Sequence, residues 1–168
     1  MQTTPLDISA RRVLFGGTLA GSTSGAMLLL GGRRDAGHAP APLNAVAHWL
    51  WPVEALRENR ASLRYTGSGS AIHFASSLLW AALYEGLRAC RREPGAANAV
   101  TDAVAVTTVA AIVDLKLVPQ RLTPGFEHRL SGPLLFTVYA GFAAGLALAE
   151  WLMREPRRPR ATRAPVRR

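Results

Sequence analysis

Four long stretches of this chain are apolar, and the polar positions that interrupt them recur at helical rather than strand spacing. The central one is Ala71 to Leu87, AIHFASSLLWAALYEGL. At roughly 100° per residue, His73, Ser77, Trp80 and Tyr84 fall on one helical stripe. Leu78, Leu79, Ala82 and Leu83 lie largely off it, so one side suits lipid and the other seeks partners within the protein. The other helices are expected to pack around this one.

Val13 to Leu30 is an uncharged run of eighteen residues. At about 1.5 Å per residue it covers roughly 27 Å, close to the thickness of bilayer hydrocarbon. A basic start followed by an apolar run also describes a signal peptide, but Pro42 would directly follow the A-x-A-like site Ala39-Pro40-Ala41. The run is therefore read as a retained span. Gly17, Gly21 and Gly25 recur every four residues and form a ridge of small residues that lets another helix backbone approach. Ala99 to Val118 is a weaker span, because Asp102 and Asp114 interrupt it and Lys116 follows. An aspartate at mid-bilayer costs about 2.5–3.5 kcal/mol, and both acids lie towards the ends, where arginine partners at the membrane surface are expected. Thr107 shares the stripe of Asp114, with Ala103 and Ala110 near the same narrow face. Leu134 to Met153 is the fourth span, with Gly141 and Gly145 as a second close-packing pair and Trp151 at the level of an aromatic belt.

The pattern thus predicts an all-α, polytopic membrane protein. It has an N-terminal segment at 1–12, a four-helix transmembrane domain at 13–153 with spans at about 13–30, 71–87, 99–118 and 134–153, and an Arg-rich tail at 154–168. In the first connection, the glycines and prolines of GGRRDAGHAPAP mark the end of the opening span. Leu43 to Trp51 then reads as a short interfacial or re-entrant helix, with Leu43, Val46, Ala47 and Leu50 on one side and Asn44, His48 and Trp51 on the other. Nine residues are too few to cross, and Pro52 breaks the helix. Gly67-Ser68-Gly69-Ser70 reads as a flexible approach to the second span. In the third connection, Thr123-Pro124 can start a short helix, and Phe126 and Leu130, four apart, are expected to lie on the membrane.

Composition and charge sharpen this picture. Of the residues, 49 % are hydrophobic and 18 % charged, and the net charge is +9. The basic residues sit beside apolar spans instead of interleaving with aromatics on a polar surface, which points to the lipid bilayer and away from nucleic acid. With the termini and the second connection on one side, that side holds twelve Lys and Arg and the other eight. The positive-inside rule then places both termini of this multi-pass protein in the cytoplasm. The last fifteen residues contain seven arginines and three prolines and are expected to be disordered. Arg157, Arg158, Arg160 and Arg163 could hold anionic headgroups at about 1 kcal/mol each. The glycine ridges also suit a homo-oligomer. One cysteine, Cys90, excludes an internal disulfide.

The chemistry-bearing candidates are the ionisable and polar groups within the spans, since such groups usually face the bundle and often mark function. They are His73, Ser77, Trp80 and Tyr84, with Glu85 one residue round from the stripe, and Asp114. His38, His48, His73 and His128 lack metal-ligand spacing, no phosphate-binding loop or nucleophile elbow is present, and no cofactor is implied. The leading expectation is a non-enzymatic membrane bundle that acts as an oligomer or accessory subunit. A small proton or ion conductor using His73, Glu85 and Asp114 is the first alternative. A membrane enzyme using His48 and His73 on a lipid-linked substrate is the second.

The order of these segments resembles the YagU-like family of bacterial inner-membrane proteins. The likeness rests on the glycine-rich opening span GGTLAGSTSGAMLLL, the Pro-rich loop GHAPAPLN, the pattern His73-x-x-x-Ser77-x-x-Trp80-Ala81-x-x-Tyr84 and a third span running into LTPGFE. It implies a four-helix bundle in the inner membrane, loosely linked with acid tolerance, and carries over no catalytic residue. The chain departs from the family pattern in its shorter first loop and its Arg-rich tail.

Overall fold

A computed structural model describes residues 5–91 and 95–153. The protein is all-helical, with no strand among the described residues. Four long helices dominate: α1 (Pro5–Asp35), α4 (Ser68–Ala89), α5 (Ala96–Ile112) and α6 (Gly132–Leu152), with the short helices α2 (Ala41–Val46) and α3 (Glu54–Arg57) in the first connection. Helix α1 packs on α4 and α6, and α5 packs on the same two. The start of α1, the end of α4, the start of α5 and the end of α6 meet through ion pairs, so direction alternates along the chain. Both ends of the described chain therefore lie at one end of the molecule, beside the second connection. The Arg-rich tail lies outside the described residues.

Small residues set the helix spacing. A Cβ on Gly17 would come 2.9 Å from the Leu78 backbone, one on Gly21 would meet the Phe74 ring at 2.8 Å, and one on Gly145 would come 2.5 Å from Ala20 Cα. A Cβ on Gly141 would lie 3.0 Å from Met27. The first ridge thus carries α4, and the glycines of α6 receive α1. Gly25 is different, because its nearest neighbour would be His73 Nε2 at 3.8 Å, an ordinary contact. Thr23 adds a hydrogen bond between helices, its hydroxyl donating to the Gly141 carbonyl at 2.8 Å.

Several expectations are corrected. Helix α1 does not stop near Leu30 but continues to Asp35, and the chain turns at Gly37, whose φ of +69° is a left-handed value that suits glycine. The 67–70 segment is not a flexible approach. Gly67 closes a π-helical turn, Leu63–Gly67, and Ser68 to Ser70 begin α4. Ser62 starts this turn, accepting from the Tyr65 N–H at 3.1 Å while its own N–H donates to Thr66 Oγ1 at 3.0 Å. Gly69 is needed because the Leu43 carbonyl lies where its side chain would be.

The short helix of the first connection has no open face, since Ala41 to His48 are all buried. Asn44, expected on a wet side, is fully buried, donating to the Glu58 and Arg60 carbonyls at 3.0 Å each and accepting from Thr66 at 2.6 Å. Satisfying every polar group in this way is what allows a polar residue into the core. Phe126 and Leu130 also leave the membrane surface, joining Leu28, Leu43, Val46 and Val138 in an apolar cluster. The two connections interlock over this end of the molecule. Trp49 Nε1 donates to the Thr123 carbonyl at 2.8 Å, Arg129 to the Leu56 carbonyl at 2.8 Å and to Asn59, and the Ser131 N–H to Asp35 at 2.7 Å. Gly125, φ +86°, lets the third connection press against the Ala45 carbonyl and His48.

Among the described residues, two segments, Ala10–Asp35 and Gly132–Leu152, are long and apolar enough to cross a membrane. Helices α4 and α5 fall below that measure. The first is diluted by serines, His73 and Glu85, and the second has 17 residues before its path widens into the π turn Val113–Leu117.

Candidate functional site

Polar chemistry is divided between the two ends of the molecule. At the end where the described chain starts and finishes, Glu150 accepts from Arg12 at 2.7 Å and from Arg88 at 3.0 Å, while Asp102 is bound by Arg88 at 3.3 Å and by Arg91. Arg88, Asp102 and Glu150 are buried. Three arginines and two carboxylates join α1, α4, α5 and α6, and each carboxylate has two cationic partners. Two members of the sequence-derived site belong here. Tyr84 is buried with Ala20, Ala81 and Leu146, its hydroxyl 3.4 Å from the Ala99 carbonyl. Glu85 is half-buried among the charges of Arg12, Arg88 and Glu150.

The other four members share a cavity of about 380 Å³ between the helices, under the interlocked connections. It is lined by Ser24 from α1, by His73, Ser77 and Trp80 from α4, by Asp114 from the π turn after α5, and by Tyr139 from α6. Trp49, Phe126 and Phe142 complete an aromatic wall, with Phe126 edge-on to Tyr139 at 6.2 Å between centroids. The face of α5 expected to receive another helix is buried, with Ala103, Thr107 and Ala110 almost inaccessible.

The two ionisable groups in the cavity have neutral partners. His73 Nε2 lies 3.1 Å from the Gly21 carbonyl and 3.1 Å from Ser24 Oγ. A carbonyl can only accept, so Nε2 carries a proton, and in the neutral ring Nδ1 is left as the acceptor. Ser24 directs its own proton to the Ala20 carbonyl at 2.8 Å, and Ser77 donates to the His73 carbonyl at 2.8 Å. Asp114 accepts from the Tyr139 hydroxyl at 3.3 Å. Among the described residues it has no arginine, lysine or histidine at ion-pair distance. The arginine partner expected for the third-span acids is therefore found for Asp102 and not for Asp114. The physical reason is position: Asp102 is one helical turn from the arginine-bearing end, and Asp114 is three turns further along.

His48 does not line the cavity. Its ring nitrogens face the Ala45 carbonyl at 3.0 Å and the Gln120 carbonyl at 3.4 Å, so it ties the two connections together. No metal-binding group of three or more ligands occurs among the described residues. Sequence reasoning missed Glu150 and Arg88, although Glu150 is an ionisable group inside the fourth apolar run and met the criterion applied to the second. It also missed Tyr139, which reads as an ordinary aromatic until Asp114 is seen beside it. Comparison with protein-family models, curated proteins and solved structures yields no match.

Proposed function

We propose that this protein is a non-enzymatic, four-span integral membrane bundle of the bacterial inner membrane, with both termini cytoplasmic, serving as an accessory or envelope-stress component as its resemblance to the YagU-like family implies. One observation carries the reading: the polarity of the fold is reversed from what water would select. Large apolar side chains face outward on all four long helices, among them Leu30, Leu79, Val104 and Phe136, the last 74 % exposed, whereas Arg88, Asp102 and Glu150 are inside. Water disfavours so much exposed apolar surface, while the charges inside are held there by pairing, each carboxylate with two guanidinium partners. The location of Arg12, Arg88 and Arg91 at the end shared by both chain ends supports cytoplasmic termini. At the other end Trp51 and Tyr65 pack edge to face at 5.4 Å, with the Arg64 guanidinium 4.9 Å above the Trp51 ring. Such a cluster suits the opposite headgroup layer.

The test is extraction. Full-length protein is expected to remain in the membrane pellet after an alkaline wash and to stay monodisperse only with detergent. A monodisperse preparation in plain buffer, or tags on the two termini reporting from opposite faces, overturns the reading.

A conductor is the second reading, because His73 and Asp114 line one cavity; Glu85 does not join them. Proton flux in liposomes that exceeds empty vesicles and falls in His73→Ala would favour it.

A further inference from the structure

We propose that the cavity beside Asp114 binds a lipophilic organic cation. The argument begins with a carboxylate whose close partner is a neutral phenol. The acids at the opposite end are held differently: Asp102 and Glu150 have two guanidinium partners each, and Glu85 lies half-buried among the charges of Arg12 and Arg88. Glu127 on the third connection adds charge of the same sign at the cavity; its carboxylate oxygens are buried without a hydrogen-bond partner, with His128 Nε2 3.7 Å from Oε1. His73 on α4 bonds to a carbonyl through Nε2, and Lys116, two residues on, is exposed. The site is thus short of positive charge.

The walls favour the same kind of occupant. Five of the chain's twelve Phe, Trp and Tyr residues line this one cavity. Aromatic faces attract cations through the ring quadrupole, most strongly when the cation is desolvated, and this is how quaternary ammonium groups are held. A small hydrated ion would lose its water in such a site for few oxygen ligands, since hard cations require six or more. A bulky cation with spread charge loses little hydration, fills about 380 Å³ and matches the pocket size that accepts drug-like molecules. Ser76, Leu79 and Val113 also border the cavity, and Leu79 is exposed on the outer face of α4. Under the membrane reading a lipid-soluble cation would enter on this side.

The π turn gives the carboxylate its place. Asp114 stands in the π turn Val113–Leu117, four residues on from Ala110, which also lines the cavity, and there it meets Tyr139; π turns are common at functional sites.

The test uses two isosteric probes, tetraphenylphosphonium and tetraphenylborate, with full-length protein in neutral detergent and binding measured by equilibrium dialysis against detergent alone. The cation should bind and the anion, of the same shape, should not. Asp114→Asn keeps an acceptor for Tyr139 and removes the charge, and should weaken cation binding roughly tenfold or more, while Asp114→Glu should stay within about threefold of wild type. Equal binding of the two probes by wild-type protein overturns the proposal without any variant, as does unchanged cation affinity in Asp114→Asn of normal elution and melting. Charge selectivity is read in detergent whichever face the termini occupy, so failure here is separate from failure of the membrane reading.

Discussion

The two ends of this molecule treat buried charge in opposite ways, and the difference separates architecture from chemistry. At one end, Arg12, Arg88 and Arg91 surround Asp102 and Glu150, so each carboxylate is neutralised by groups from other helices. Such an arrangement ties α1, α4, α5 and α6 and occupies both of these carboxylates. At the other end the hydrogen-bond partners of Asp114 and His73 among the described residues are neutral, and the two share a cavity. Buried charge that is paired serves the fold. Buried polarity left beside an accessible volume is where a ligand can supply the missing partner.

The largest effect should come from breaking the paired end. Glu150→Ala strips Arg88 of one of its two carboxylates and Arg12 of its ion-pair partner among the described residues, which should cost about 3–5 kcal/mol, seen as a marked fall in melting temperature in detergent. A melting curve unchanged from wild type would show that the network does not hold the helices together. Next in size is helix spacing. Gly145→Leu forces a side chain into the Ala20 backbone and should destabilise by at least about 1–3 kcal/mol, whereas Gly25→Ala, beside His73 at 3.8 Å, should be nearly neutral. Equal losses at the two positions would mean that close approach of α1 and α6 is not the cause.

The cavity end should respond far less. Asp114→Asn removes a charge with no cationic partner among the described residues and keeps the Tyr139 bond, so stability should change by under about 1 kcal/mol in either direction. A loss as large as that of Glu150→Ala would erase the distinction drawn here. The smallest effect belongs to Glu58 on the first connection, whose carboxylate accepts from the N–H groups of Arg60 at 2.7 Å and Asn59 at 2.8 Å. The Arg60 bond foremost holds its pKa below the usual 4.5. Its stabilisation is present above that ordinary value and is lost as pH falls through the lower folded-state value. Glu58→Gln should therefore slightly flatten the acid side of the melting profile, and an unaltered profile would remove Glu58 from the account.

How far the site could be read in advance depended on whether its signal was local. The stripe of His73, Ser77 and Trp80 was visible because neighbours on one helical face are set by a spacing of three or four residues. The same stripe misassigned Tyr84. Eleven residues span about 16 Å along a helix axis, so Tyr84 is carried out of the cavity and into the layer of Arg88 and Glu150. Phe126 and Leu130 were read as membrane-facing because apolar residues in a connection can cover either lipid or core, and only the presence of Leu43 and Val46 beneath them decides for the core. Gly69 looked flexible for a similar reason: a glycine that admits a neighbouring carbonyl cannot be told from a hinge until the neighbour is known.

From the chain alone came the four long helices, their small-residue ridges and the unusual presence of acids within apolar runs, because helical period, glycine spacing and hydropathy are properties of adjacent residues. Tertiary structure decided which acids are paired. Arg12, Arg88, Asp102 and Glu150 are separated by up to 138 positions, and no short-range pattern can announce that they meet. It also decided that Asp114 faces Tyr139 across a cavity, since a cavity is made by the distance between helices and belongs to no single segment.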